Sequence, residues 1–183
     1  MRVLLASKSP RRKELLKELI KDFEVKVFPT DENFLGESPQ TTVKEIALRK
    51  LNAVEDKNKY DLIIASDTLV YKDGVYYGKP KDREEAIRML SELEGKPHLV
   101  CSAIALYYNG EIETHAVTTK VIFNDMSLAE IESYVDNYNC LDKAGAYAVQ
   151  DGVVVKEFDG SYSNVVGLPL EKLSEILKEK KII

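Results

Sequence analysis

Apolar residues in this chain form short continuous runs that alternate with stretches of helical spacing. The run Arg2–Ala6 predicts a short buried strand, and apolar residues from Leu15 to Ile20 recur along one helical face. The same alternation continues along the chain and predicts the order β-α-β-α-β-β-α-β-β-α-β-α. This order, with hairpins among the crossover units, predicts an α/β fold in which helices pack on a mixed sheet.

Two turn signals place hairpins in that sheet. Lys72-Asp73-Gly74 predicts a tight turn, and Asn109-Gly110 is a strong hairpin signal. The predicted arms are Leu62–Tyr71 with Val75–Tyr77, and His98–Tyr108 with Glu111–Phe123. The run Leu62–Tyr71 is apolar almost throughout, which favours a strand covered on both faces.

Capping patterns predict where the helices begin. Ser9 suits an N-cap and Pro10 the first helical position. The stretch Thr42–Glu45 resembles a capping box and predicts a helix from Thr42 to about Glu55. The stretch Gly160–Pro169 is predicted as the lead into the last helix.

Composition limits the classes of function. The chain has 183 residues, 44% of them hydrophobic, and no repeat or composition break, so we expect one domain over residues 1–183. A net charge of -5 argues against an extended nucleic-acid surface. Without an 18-residue apolar run or a signal-peptide pattern, the expectation is a cytoplasmic protein and no membrane partner. Cys101 and Cys140 are too few for a disulfide scaffold or a thiolate metal cage.

The first strand-to-helix turn has the chemistry of a phosphate site. A helix start offers unpaired N–H groups and a positive dipole end. Ser7, Lys8, Arg11 and Arg12 crowd that turn, and arginine grips phosphate oxygens in pairs. The alternative is a well-capped helix with solvated basic residues, and the turn alone favours phosphate binding only slightly.

Two further charged residues occupy apolar patterns. Lys50 shares a helical face with Val43 and Ile46, so it either snorkels to an edge or points into a cleft, and spacing leaves both open. Asp67 interrupts the apolar run Leu62–Tyr71, where an unpaired carboxylate is expensive. A local turn cap is one explanation, and a functional site is the favoured one.

The candidate charges together suit metal-assisted attack on a polyphosphate. The cations are Lys8, Arg11, Arg12, Lys50 and Lys79, and the carboxylates are Glu32 and Asp67. Neither G-x-x-x-x-G-K-[ST] nor a G-x-G-x-x-G between strand and helix is present, so the site differs from the common nucleotide folds.

These motifs resemble those of the Maf family of nucleotide pyrophosphatases. Ser7–Arg12 is similar to the family signature S-x-S-P-R-R. Further similar stretches follow in the same order nearly to the end of the chain: Asp31-Glu32, Ala65–Thr68, Gly78–Asp82, Asp142–Gln150 and Gly160–Pro169.

The resemblance implies a fold like that of the inosine triphosphate pyrophosphatases, two-lobed with a central cleft. It implies hydrolysis of a nucleoside triphosphate to the monophosphate and pyrophosphate, with Mg²⁺ or Mn²⁺ as the divalent cofactor. Asp67 matches the proton acceptor that activates water, and Glu32 a second carboxylate. The resemblance implies that both residues are metal ligands. The matching substrate-binding positions are Ser7, Arg11, Arg12, Lys50 and Lys79.

Three positions carry the implied specificity. Arg11, Thr68 and Gln150 match the family's specificity positions, and this combination resembles the dTTP/UTP branch. The alternative reading is a nucleotide-binding regulator of septum formation that acts through a protein partner. The retained Asp67, Glu32 and Lys79 favour the enzyme. The expected assembly is a homodimer.

Overall fold

A seven-stranded mixed sheet runs through the protein, which we describe from a computed structural model covering residues 1–183. The strands are β1 Val3–Ala6, β2 Glu24–Lys26, β3 Leu62–Lys72, β4 Val75–Tyr77, β5 Pro97–Tyr108, β6 Glu111–Phe123 and β7 Val155–Asp159. The α-helices are α1 Pro10–Leu19, α2 Pro39–Asn52, α3 Arg83–Leu93, α4 Leu128–Asn137, α5 Tyr162–Val166 and α6 Leu170–Glu179. Short 3₁₀ turns cover 57–59, 144–146 and 149–151.

The sheet combines parallel and antiparallel pairing, as the sequence predicts. Its strand order is β2-β1-β3-β5-β6-β7, with β4 paired to β3. The β2-β1-β3 part is parallel, and the remaining pairs are antiparallel. Both predicted hairpin turns are present, because Asp73, Gly74, Asn109 and Gly110 all have the positive φ angles that such turns require.

One edge of β3 has no partner strand along the middle of its length. Strand β1 pairs with Leu62–Ala65 and β4 with Val70–Lys72, so no strand covers that edge at Ser66–Leu69. The other edge pairs with β5 from Leu62 to Tyr71. The gap between β1 and β4 therefore leaves one edge of the polar middle of this central strand without a partner strand, while the sheet continues through β5.

Three apolar clusters hold the helices on the sheet. Helix α2 covers one face of β1, β3 and β5, while α1 and α6 cover the opposite face. A third cluster joins α3 and α4 to the far ends of β5 and β6. Fully buried members of the three clusters are Leu51 and Ile63, Leu16 and Leu173, and Leu93 and Phe123. We call β1, β2, α1, α2 and α6 the first lobe, and β4, α3, α4 and residues 138–151 the second lobe.

Local capping signals located the start of α1 but not that of α2. Ser9 caps α1 and Pro10 opens it, as predicted. The second helix starts earlier than predicted, at Pro39 rather than Thr42, because Ser38 provides the N-cap. The Thr42 hydroxyl instead donates a hydrogen bond to the Ser38 carbonyl within the first turn.

Two further features complete the fold. Helix α5 was not predicted, since its five residues lie in a polar stretch without apolar periodicity. None of the helices combines the length and apolar composition that a membrane span needs.

Candidate active site

A large cavity opens at the gap in the β3 edge, between the two lobes. Its volume is about 1010 Å³. The first lobe contributes the β1–α1 turn, the 27–35 loop and the inner face of α2, and the second contributes β4 and residues 142–150. The further candidate cation Lys8 lines this cavity, as do all nine residues that the family resemblance assigns to the site: Ser7, Arg11, Arg12, Glu32, Lys50, Asp67, Thr68, Lys79 and Gln150.

Asp67 lies in the unpaired stretch of β3, lines the cavity and is 8% exposed. The Lys50 Nζ lies 2.6 Å from Asp67 Oδ1 and 3.3 Å from Glu32 Oε2. Lys50 therefore points into the cleft rather than to a helix edge, which decides between the two alternatives its spacing left open. Its ammonium supplies the counter-charge that a buried carboxylate needs.

Glu32 and Asp67 are suited to a divalent cation. Both present carboxylate oxygens to one cationic group, Lys50, so a position between them already favours positive charge. Mg²⁺ is usually held by one or two carboxylates together with substrate phosphates. That donor set fits the predicted role of these residues. No group of three or more His, Cys, Asp and Glu side chains forms a metal cage of its own.

Lys8 and Lys79 are cations of the cavity wall that have no carboxylate within ion-pair distance. Partial burial lowers the pKa of Lys79, and the charges of Lys8 and Lys50 lower it further, against the opposing effect of Glu32. The mutual influence of these groups shows that they share one electrostatic environment. An anion entering the cavity would relieve their repulsion.

Arg12 connects α1 to the loop that follows α5. Its Nε donates to the Gly167 carbonyl at 2.8 Å, and its two terminal nitrogens donate to Thr68 Oγ1 at 3.0 Å and Ser7 Oγ at 3.4 Å. Burial lowers the pKa of the Arg12 guanidinium, and the charge of Asp67 opposes that shift. The predicted phosphate-binding arginine thus also holds the cavity wall together.

The Thr68 hydroxyl belongs to the same hydrogen-bond network. Neighbouring residues of a strand point to opposite faces, so Asp67 faces α2 whereas Thr68 faces α1 and α5. Thr68 Oγ1 lies 2.8 Å from Ser102 Oγ and also contacts the Gly167 carbonyl. Its hydroxyl is therefore already occupied within the wall of the cavity.

The other two predicted specificity residues lie on opposite lobes. Arg11 extends from α1 to Asp142, with Nη1 3.1 Å from Asp142 Oδ2 and Nη2 3.4 Å from the Asp142 carbonyl. Gln150 sits in the 149–151 turn and is exposed to the cavity. The structure thus brings Arg11 and Gln150 to the same cavity from the two lobes.

Sequence reasoning missed two participants in this site. The Gly167 carbonyl accepts hydrogen bonds from Arg12 and from Ser66 Oγ, the latter at 3.0 Å. Asp142 is the partner of Arg11. Both residues lie in stretches that resembled family motifs, but the long-range contacts that explain them carry no local signal.

A family model described as Maf-like protein matches residues 2–180. The chain belongs to the Maf family. The resemblance of its motifs to that family is thereby confirmed over almost the whole chain.

Curated relatives match along nearly their full length. The dTTP/UTP pyrophosphatase of Thermotoga maritima is 43% identical over 184 residues, covering 98% of this chain and 90% of the relative. The protein of the same name from Clostridium beijerinckii is 44% identical over 189 residues, covering 98% and 99%. That from Caldanaerobacter subterraneus subsp. tengcongensis is 41% identical over 186 residues, covering 98% and 89%.

Solved structures support the fold. The Staphylococcus aureus Ham1 protein superimposes with a TM-score of 0.60 at 16% identity, covering 98% of this chain and 100% of that one. A HAM1 protein from Coxiella burnetii gives 0.55 at 19% identity, covering 98% and 99%. The predicted α/β fold of the inosine triphosphate pyrophosphatase type is confirmed, and at these identities the likeness concerns the fold alone.

Proposed function

We propose that this Maf-family protein hydrolyses nucleoside triphosphates, with dTTP and UTP preferred, to the monophosphate and pyrophosphate. The single observation that carries the proposal is a buried carboxylate, Asp67, paired with Lys50 in the wall of a cavity that two lysines without carboxylate partners, Lys8 and Lys79, also line. The enzyme class, a nucleoside triphosphate pyrophosphatase, is confirmed by the curated relatives.

Asp67 is the proposed acceptor of the proton from water. The water oxygen forms a bond to the α-phosphorus, the bond from that phosphorus to the α–β bridging oxygen breaks, and pyrophosphate leaves. The proton released from the water passes to the Asp67 carboxylate, a general-base role. Lys50 contacts Asp67 Oδ1 at 2.6 Å, which leaves Oδ2 free to accept the proton.

Glu32 and Asp67 would hold the divalent cation, Mg²⁺ or Mn²⁺. Such a cation supplies charge neutralisation on the phosphates and the leaving group when bound. Lys50 contacts both carboxylates, so its ammonium would add to the positive charge beside the substrate phosphates. Lys50 would then neutralise charge on the substrate.

Basic residues of the β1–α1 turn, together with Lys79 after β4, would neutralise the remaining phosphate charge. Lys8 and Lys79 are free of carboxylate partners and would take the terminal phosphates. Arg12 keeps N–H donors beyond its three bonds to the wall. Ser7, 7% exposed, adds a hydroxyl at the base of the same turn.

Base selection is assigned to Arg11, Thr68 and Gln150. Arginine only donates hydrogen bonds, so it favours a base edge with carbonyl oxygens, as in uracil and thymine, over the amino edge of cytosine. The Gln150 amide both donates and accepts, which suits a pyrimidine edge. The names of the curated relatives support dTTP and UTP as the preferred substrates.

The decisive experiment measures pyrophosphate release across canonical and modified nucleoside triphosphates, with Mg²⁺ or Mn²⁺ and with a chelator. We expect turnover concentrated on dTTP and UTP and lost on chelation. Turnover on another base would keep the mechanism and refute the specificity. Tight nucleotide binding without turnover would instead favour the regulator of septum formation.

We further propose that the protein forms a homodimer and is located in the cytoplasm. Light scattering coupled to size-exclusion chromatography measures the first, and fractionation of cells that express the protein measures the second. A monomer, or recovery with the membrane fraction, would contradict them.

A further inference from the structure

Arg11 is held by Asp142 at two points. One guanidinium nitrogen contacts the carboxylate at 3.1 Å and the other contacts the main-chain carbonyl at 3.4 Å. Two contacts on different nitrogens fix the plane of a guanidinium as well as its position. The residues are 131 apart in sequence, and the contact joins the first lobe to the second.

The segment that carries Asp142 is anchored in the second lobe. The Gly145 N–H donates to the Gly78 carbonyl at 3.0 Å. The Tyr134 hydroxyl donates to Asp151 and accepts from the Ala148 N–H. Gln150 belongs to this anchored segment, so the contact with Asp142 sets where Arg11 lies relative to Gln150.

Two cations, Arg11 and Lys143, contact the Asp142 carboxylate and stabilise its negative charge. Its second carboxylate oxygen lies 2.9 Å from Lys143 Nζ. Partial burial on its own raises the pKa of Asp142, but hydrogen bonds from Lys143 and Arg11 outweigh it and lower the pKa below its ordinary value. The carboxylate therefore stays ionised at neutral pH and keeps its hold on Arg11.

We propose that Asp142 is a positioning residue that fixes the Arg11 guanidinium relative to Gln150 and so sets which nucleobase the cavity selects. The inference rests on the proposed function, because it assigns a role within base recognition. Asp142 acts through Arg11 and does not itself contact the base.

The pair contributes little to folding, which makes the test clean. The Asp142 side chain is 43% exposed and that of Arg11 is 23% exposed, and ion pairs in such positions add little to stability. Replacing Asp142 should therefore change selection without unfolding the protein.

The test is a double-mutant cycle of Asp142→Asn and Arg11→Met, read as the ratio of kcat/KM for UTP over CTP. We expect each single variant to lower the ratio about tenfold and the double variant to lower it no further, because coupled residues are non-additive. In Asp142→Asn, we expect a raised KM for UTP with kcat within about twofold of the wild type.

Asp136→Asn is the matched control. It breaks an ion pair with Arg83, at 2.6 and 2.8 Å, away from the cavity, and should leave the ratio unchanged. Additive losses in the cycle, or an unchanged ratio in Asp142→Asn, would overturn the inference.

The failure of the proposed function has a different signature. If the wild-type protein releases no pyrophosphate, the proposed function fails and the same cycle is read from the Kd values for UTP and CTP. Non-additive Kd ratios would then support the role of Asp142, and additive or unchanged ratios would refute it.

Discussion

At the scale of single residues, the site depends on how Lys50 holds Asp67. Asp67 is 8% exposed, and Lys50 lies 2.6 Å from it. A carboxylate in this setting has lost most of its water, and the ammonium replaces that solvation with one directional contact. The sequence placed both residues in apolar patterns, and the structure shows that they compensate each other.

Asp67→Asn should abolish turnover but leave nucleotide binding largely intact. The amide keeps the shape but does not accept the proton from water, so we expect kcat to fall by about 10²- to 10⁴-fold. The Kd for dTTP, measured by calorimetry, should change less than about threefold, since the phosphate cations remain. Asp61→Asn, outside the cavity, serves as control. Equal loss of binding and turnover would contradict a chemical role for Asp67.

Gln150→Glu should weaken pyrimidine selection more than catalysis. The exposed Gln150 side chain makes no hydrogen bond within the protein, so folding should not change. A carboxylate only accepts hydrogen bonds, so the site loses a donor to the base, and we expect the preference for UTP over other nucleotides to shift about tenfold. The comparison is Gln40→Glu, at the chain's other glutamine. An unmoved ratio of kcat/KM values would remove Gln150 from the specificity set.

At the scale of elements, the loop between α5 and α6 closes the cavity wall. The Gly167 carbonyl accepts from Arg12 and Ser66, which belong to α1 and β3. Gly167 has φ +126°, a conformation that favours glycine. The short helix α5 therefore positions the Gly167 carbonyl, at its C-terminal end, in the wall of the site.

Gly167→Ala should impair both stability and activity. The positive φ imposes about 1–3 kcal/mol of strain on alanine, and a shift of the carbonyl would displace Arg12, for a loss of at least about tenfold in kcat/KM. Gly110→Ala carries similar strain at φ +84° in a distant hairpin with no neighbour within 4 Å. Urea unfolding and pyrophosphate release separate the effects. Equal activity in the two variants would show that Gly167 acts on stability alone.

At the scale of the whole molecule, the two lobes have separate apolar clusters that a single sheet joins. The cluster of the second lobe contains Phe123 and Tyr147, and His98 packs edge-on against both rings. His98 Nε2 lies 2.8 Å from the Tyr147 hydroxyl. Tyr147 also lines the cavity, so the core of this lobe continues directly into the site.

Acid should destabilise the protein through His98. Burial lowers the pKa of His98 from 6.5 to about 4. Between these values the unfolded chain binds more protons than the native one, so stability falls as the pH drops from about 6.5 to 4, by ~3 kcal/mol.

Urea denaturation at several pH values measures this loss. His98→Gln should flatten the pH dependence over that window, whereas His115→Gln, at the chain's other histidine, should keep it. The same slope in both variants would assign the acid sensitivity to other groups.

The sequence by itself determined the hairpins, the mixed α/β class and the element order apart from the short helix α5, because these follow from local periodicity and turn chemistry. It also selected nine residues that line one cavity. It placed the start of α2 three residues late, since two capping patterns lay close together.

Only the tertiary structure decided what those residues touch. The direction of Lys50, the bond from Arg12 to Gly167 and the contact of Arg11 with Asp142 join segments far apart in the chain. Such contacts depend on how β1 and β4 divide the edge of β3. Local residue spacing does not reveal which strands pair at long range. The sequence therefore predicted which residues belong to the site, and only the fold showed the cleft in which they meet.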